Sequence, residues 1–237
     1  MLRALRAALA CALITLAVAG TACPARAAGG NYVIDGGTPI QQEEVRSALS
    51  ASAFPWSIVP RQVQIHIGAG FTTESTTGQI WIDANLLDMG SFSWGLVQHE
   101  YAHQVDFQLL NDATRSALTQ VLGGGAWCWG AGPDLDHAEY GCERLASTLA
   151  WSYWQSPDNA LRPRGQGDES AALTPARFKA LLGALLKAES ATDQLATIGS
   201  FVGRAPAVTT SPAVTSAPAT ARRTAAATGT RTPARRA

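Results

Sequence analysis

The chain has 237 residues, 46% of them apolar, with 18 Lys+Arg against 18 Asp+Glu. The overall neutrality hides an asymmetry: residues 28–204 carry all 18 acids and ten of the bases, a net charge of −8. A chain of this length suits one domain with appendages, and an acidic body argues against nucleic acid as a partner.

The N-terminus opens with the basic stretch Met1–Arg6, followed by an apolar run from Ala7 to Gly20. That run is too short for a membrane span, which takes roughly 20 residues. Ala25-Arg26-Ala27 is a small-x-small cleavage pattern, so residues 1–27 are expected to be a secretory signal and the protein to be secreted. Cys23 lacks the leucine expected three residues before a lipoprotein cysteine, which disfavours the alternative of a lipid anchor. The other end, residues 205–237, is Ala, Thr, Pro, Ser and Arg with almost no large apolar residue. It is expected to be a disordered tail, because it has too little apolar surface to offset the entropy of ordering. Its five arginines come with no acid and suit an anionic cell envelope; a solvated tail without a partner is the other reading. Of the four cysteines, Cys11 and Cys23 leave with the signal. Cys128 and Cys142 are then expected to form one disulfide, worth about 3 kcal/mol for a loop of this length. Zinc thiolates are the competing reading, which the lack of C-x-x-C spacing disfavours.

Between these ends, an α+β domain is expected over 28–204. Asn31–Asp35 reads as a short strand. Thr38-Pro39 opens an amphipathic helix through Ala51, with Ile40, Val45, Ala48 and Leu49 on one side. Val63–Ile67 alternates as a strand does, Thr72–Gly78 reads as a polar turn, and Gln79–Asp83 is another strand. The last of these is nominated as the edge strand on which a substrate could align. Ser91 is the expected N-cap of a helix from about Phe92 to Leu110, with Trp94, Val97, Tyr101, Val105 and Leu109 at core spacing. A short helix Thr114–Leu122 stops at Gly123-Gly124-Gly125. After a Gly- and Trp-rich loop, a third helix is expected from His137 to about Trp154. Gln155–Ala171 reads as a loop. Thr174-Pro175 opens a helix to about Lys187, and a last helical piece covers Asp193–Val202.

The expected helix from Phe92 carries Gln98-His99-Glu100-Tyr101-Ala102-His103, an H-E-x-x-H motif. Histidines four apart share one helix face and can bind one metal ion, with zinc the usual occupant; the glutamate stands close enough to serve as a base. A catalytic zinc takes three protein ligands and leaves one position open. The metzincin arrangement is excluded, because Leu109 and Asp106 stand where that pattern needs His and Gly, and no methionine follows Met89. His137, at the start of the expected third helix, and Glu139 and Glu143, one turn apart on it, remain as third-ligand candidates. Ala146, Ser147 and Ala150 would let that helix approach the motif closely, which favours Glu143. Asp106 falls on the same face as the histidines and either steadies a ligand ring or pairs with a base such as Arg144. His66, in a strand, reads as a core or surface residue.

With His99-Glu100-x-x-His103 and Glu143 in its E-x-x-A context, the chain resembles a gluzincin-type minimal zinc metallopeptidase of the secreted bacterial kind, over roughly residues 79–154. It departs from the better-known members in having Ser147 where they have an aspartate four residues after the glutamate. The resemblance implies a zincin-like fold, Zn2+ held by His99, His103 and Glu143, and a protein or peptide substrate. It further implies hydrolysis of peptide bonds by a zinc-activated water, with Glu100 as general base and Tyr140 or His137 as the oxyanion partner. A monomer is expected. The alternative is a catalytically silent binding module of zincin fold at the cell envelope.

Overall fold

The computed structural model describes residues 30–128, 134–188 and 191–203. All belong to the first of the chain's two units, Met1–Arg204. The expected signal (1–27) and tail (205–237) lie outside the described residues.

One mixed four-stranded sheet carries the order β1-β2-β4-β3. Strands β1 (Tyr32–Gly36), β2 (Val63–Gly68) and β4 (Gln79–Asp83) are parallel, and β3 (Glu74–Thr76) runs antiparallel to β4. Period-two alternation puts Val63, Ile65, Ile67, Ile80 and Ile82 into the core. Gln79–Asp83 was expected at the edge, but it is hydrogen-bonded on both sides. The edge is β3, formed within the stretch that reads as a polar turn. Gly78, at φ +79°, closes the two-residue connection between Thr76 and Gln79 and folds the polar segment back as a hairpin. Three polar residues offer too little alternation to announce a strand.

Helix α1 (Pro39–Ala51) starts as the sequence predicts, with a capping box between Thr38 and Gln41 and proline in its first turn. Ile40, expected on the buried side, is 73% exposed, and Gln41 is buried instead. Gln41 stands one turn before Val45 on the core face and is satisfied there by Asp88 at 2.8 Å. A short helix α2 (Ala84–Leu87) follows the sheet.

The central helix α3 (Trp94–Leu109) begins two residues later than expected, after a 3₁₀ turn over Gly90–Ser93. Ser91 does not cap it; its hydroxyl donates to Asp158 across the fold. Helix α3 packs on α1, the β3–β4 hairpin and the later helix α5 (Gly141–Tyr153), so nearly its whole circumference is buried between Val97 and Asp106. Its buried glutamines reach backbone groups inside. Gln98 donates to the Ala48 carbonyl at 2.7 Å, while Gln104 donates to the Thr76 carbonyl and accepts from Gly78 N–H, both at 2.7 Å. Gln104 thus pins the edge hairpin to the helix.

Helix α4 (Asp112–Leu122) is capped by Asn111, whose side chain accepts from Thr114 N–H. The predicted continuous helix 137–154 is broken. A 3₁₀ turn over His137–Glu139 is followed by Tyr140 in extended geometry, and α5 runs from Gly141 to Tyr153. The break has a local cause: Gly141 and Cys142 N–H donate to the carbonyls of Ala126 and Trp127, tying the helix start to the preceding loop. A Cβ on Gly141 would meet the Trp127 ring at 2.9 Å, so glycine is required for this approach.

Helices α6 (Pro175–Leu185) and α7 (Ala191–Val202) complete the core. Phe178, Leu181, Leu182 and Leu185 of α6 are buried. Thr174 sits at the N-cap position of α6, but its side chain makes no capping bond. Among the described residues the architecture is α+β, with a small sheet and seven α-helices. Among the described residues no helix is long and apolar enough to cross a membrane.

Candidate metal centre

Helix α3 supplies His99 and His103 one turn apart, and α5 supplies Glu143 from the facing side. Ala102 on α3 and Ala146, Ser147 and Ala150 on α5 are all fully buried, and these small side chains let the two helices approach. His99 Nε2 lies 3.0 Å from Glu143 Oε2, His103 Nε2 lies 3.4 Å from it, and the two Nε2 atoms are 3.1 Å apart. Ligands about 2.0–2.1 Å from a tetrahedral zinc are separated by roughly 3.3 Å, so this triangle has the dimensions of one face of such a site. These three residues form a buried group able to hold a metal ion.

The donor set fits a cation for a second reason. Glu143 is fully buried, and its Oε2 makes no properly oriented hydrogen bond among the described residues. A buried carboxylate oxygen whose contacts are poorly oriented for hydrogen bonding is costly, and a cation at the centre of the triangle would satisfy it. In the metal-free state the residues compensate by protonation. Burial raises the Glu143 pKa, but contacts with His103 and His99 outweigh that and hold it well below the usual carboxylate range. Burial lowers the His103 pKa, but Glu143 first, then Glu100 and Asp106, raise it above the ordinary imidazole value.

Glu100 lies on the rim of the same cavity, with its carboxylate accepting from Ser75 Oγ of β3 at 2.7 Å. His137 is brought in by the 3₁₀ turn and places Nε2 3.1 Å from Glu143 Oε2 on the solvent side. It falls outside the buried triad and groups with Glu143 and Glu169 instead. Its Nδ1 is 2.6 Å from Glu169, a contact that raises its pKa against the opposing effect of burial.

Other residues singled out in the sequence take different places. Glu139 is not one helical turn from Glu143, because the helix breaks between them. It is exposed and accepts from the Asp136 backbone N–H. Tyr140 is buried below the helix start; its hydroxyl accepts from Leu135 N–H, and it does not line the cavities around His99 and His103. Asp106 makes no hydrogen bond to either ligand ring among the described residues. It pairs with Arg115 at 2.7 Å and accepts from the Trp127 indole at 3.0 Å. Arg144, the partner expected for it, instead donates to the carbonyls of Leu122 and Ala138. His66 is on β2, where it contacts Gln79 at 2.6 Å, away from the metal group. Cys128 and Cys142 form a disulfide that fastens the Trp127-Cys128 segment beside Glu143.

Glu169 went unseen in the sequence. It lies in a polar loop without periodicity, 26 residues beyond Glu143, and no motif links it to the histidines. Ser147, noted as a small residue and as a departure from a pattern, proves to be in contact with His99 Nδ1 at 3.0 Å and with Glu169 at 2.6 Å. Beside these residues opens a cleft of about 470 Å³ that reaches His99, Glu100 and His137, with Phe71, Leu86, Leu96 and Leu161 on its walls.

No known protein family, curated protein or solved structure matches the chain. The functional reading therefore rests on the site itself.

Proposed function

We propose that the protein is a secreted zinc-dependent peptidase with a zincin-like arrangement, hydrolysing peptide bonds in the cleft beside His99, Glu100 and His137. The observation that carries this reading is the unsatisfied Glu143 Oε2 facing two imidazole Nε2 atoms at 3.0 and 3.4 Å, with a second carboxylate, Glu100, on the cavity rim. A structural site has no need of that second carboxylate. The donor set of two imidazoles and one carboxylate is one that zinc accepts with a position left open.

When bound, zinc supplies a Lewis acid that polarises a carbonyl and acidifies water. The chain's own groups supply the rest. Glu100, steadied by Ser75, takes a proton from the attacking water and passes it to the leaving amine. His137 Nε2 stands on the open side of Glu143, where it can donate to the oxygen that gains charge. Tyr140 is outside the linings of both cavities, which favours His137 for that role. The edge strand β3 borders the cavity through Glu74 and Ser75, with Thr73 just before it, and offers an extended peptide a strand to align on. The apolar walls of the larger cleft suit a large aliphatic or aromatic side chain next to the scissile bond.

The test has two parts. Metal analysis of the purified mature protein should find about one zinc per chain, reduced by His99→Ala or Glu143→Ala. Wild type should cleave members of a peptide library that Glu100→Gln, loaded with zinc, leaves intact. Equal cleavage by both proteins would exclude Glu100 as base, and zinc retained without any cleavage would leave the binding module as the function.

A further inference from the structure

The region around Ser147 holds a chain of contacts that the peptidase reading does not require. His99 Nδ1 meets Ser147 Oγ at 3.0 Å, Ser147 Oγ meets Glu169 Oε2 at 2.6 Å, and Glu169 Oε1 meets His137 Nδ1 at 2.6 Å. One carboxylate thus terminates contacts from a metal-ligand histidine and from the histidine across the cleft. We propose that Glu169 is a shared positioning residue: through Ser147 it fixes His99 with its proton on Nδ1 and Nε2 bare for the metal, and directly it holds His137 in the cleft wall. The proposal rests on the metal reading above.

The polarity of the chain follows from donor and acceptor chemistry. An ionised carboxylate only accepts. Burial raises the Glu169 pKa, but the contacts from His137 and Ser147 outweigh it and hold the group in its ionised form. Ser147 has one hydroxyl proton, and the 2.6 Å contact to Glu169 takes it. Its oxygen can then only accept from His99, so His99 carries a proton on Nδ1, and Nε2, which faces Glu143, is the nitrogen left for the metal. The other carboxylate oxygen accepts the Nδ1 proton of His137.

The loop is built to bring the carboxylate there. Thr148 Oγ1 donates to the Glu169 carbonyl at 3.1 Å, which ties the backbone to α5, and Asp168 caps the preceding turn by accepting from Gly165 N–H. This accounts for the absence of an acid at position 147 itself. A serine there passes on the effect of a carboxylate that arrives from a different segment, and that carboxylate has an oxygen left over for His137.

The isosteric Glu169→Gln variant separates this role from simple packing. Its amide can donate to Ser147, which turns the hydroxyl proton toward His99 Nδ1 and moves the imidazole proton to Nε2. Histidine ¹⁵N NMR of the metal-free full chain should report a proton on His99 Nδ1 in wild type and its loss from Nδ1 in Glu169→Gln. Titration with Zn2+ alone should show affinity weakened about 10–100-fold in Glu169→Gln and Ser147→Ala, the usual range for such outer partners. The double variant Glu169→Ala/Ser147→Asp moves the carboxylate directly onto His99. It should regain most of the zinc affinity while kcat stays low, since His137 has lost its partner, with KM little changed. Circular dichroism confirms the fold of each variant. Wild-type zinc affinity and an unchanged His99 tautomer in Glu169→Gln would overturn the proposal. So would a folded double variant that does not regain zinc. A wild-type chain that binds no zinc at all would instead remove the metal reading on which the proposal stands.

Discussion

Ser75 Oγ lies 2.7 Å from the Glu100 carboxylate and 2.9 Å from the Glu100 carbonyl, so the edge strand of the sheet is fastened to the base of the proposed reaction. The serine comes from a segment that carries no strand signal, and the glutamate from the centre of the best-marked helix. Because hydrogen bonds to charged groups contribute about 1.5–3 kcal/mol, Ser75→Ala should lower kcat about tenfold or more while leaving zinc content at the wild-type value. Steady-state kinetics alongside metal analysis checks this, and a parallel loss of zinc would assign Ser75 to the metal site instead.

The start of α5 depends on one missing side chain. Gly141→Ala would push a Cβ to within 2.9 Å of the Trp127 ring, which is itself anchored to Asp106. Overpacking of this kind costs about 1–3 kcal/mol. The variant should melt several degrees lower. Since Glu143 follows two residues later, it should also bind zinc more weakly, whereas Gly183→Ala, which meets open space, should do neither. Thermal denaturation of both variants, with and without zinc, makes the comparison.

The Cys128–Cys142 disulfide closes a loop of 14 residues' separation next to Glu143. Cys142→Ser should remove about 3 kcal/mol of stability by the chain-entropy estimate and weaken zinc retention as well. Unchanged metal content after dialysis against a mild chelator would show that the disulfide stabilises the fold without tuning the site.

The metal-free protein should have a stability optimum in mildly acidic solution. His103 has a folded pKa above its ordinary 6.5, because Glu143 outweighs burial. Its contribution is fully present below 6.5 and lost as pH rises through the folded value. Glu143 is held below its ordinary 4.5, so its contribution is present above 4.5 and lost as pH falls through the folded value. Stability of the chelated protein should therefore be greatest between these ordinary values and decline to either side. Zinc must displace the His103 proton, so zinc stabilisation should grow from pH 6 to pH 8, with proton release on binding. Melting curves across pH, with chelator and with zinc, would expose a flat profile if the coupling were absent.

Much of this molecule was legible in its residues. The strands β1, β2 and β4, the capped start of α1, the core face of α3 at Val97, Tyr101 and Val105, and the apolar face of α6 all follow from periodicity and capping, which are local properties. So does the pairing of His99 with His103, because four residues on a helix make one turn. Glu143 was reached through the small residues Ala146, Ser147 and Ala150, whose consequence is close helix packing.

Tertiary structure decided the rest. The break at Tyr140, which lifts His137 over Glu143 and turns Glu139 away, arises from backbone bonds to Ala126 and Trp127 across the chain. Asp106 found Arg115 and Trp127 rather than Arg144 for the same reason, since partners are chosen by the packing of whole elements. Glu169 had no local signature at all. Ser147 and His137 need only an acceptor at the right point in space, and any loop the fold brings there can provide it. Sequence by itself determined which helix carries the candidate site and singled out His99, His103 and Glu143; the fold alone determined which groups surround them.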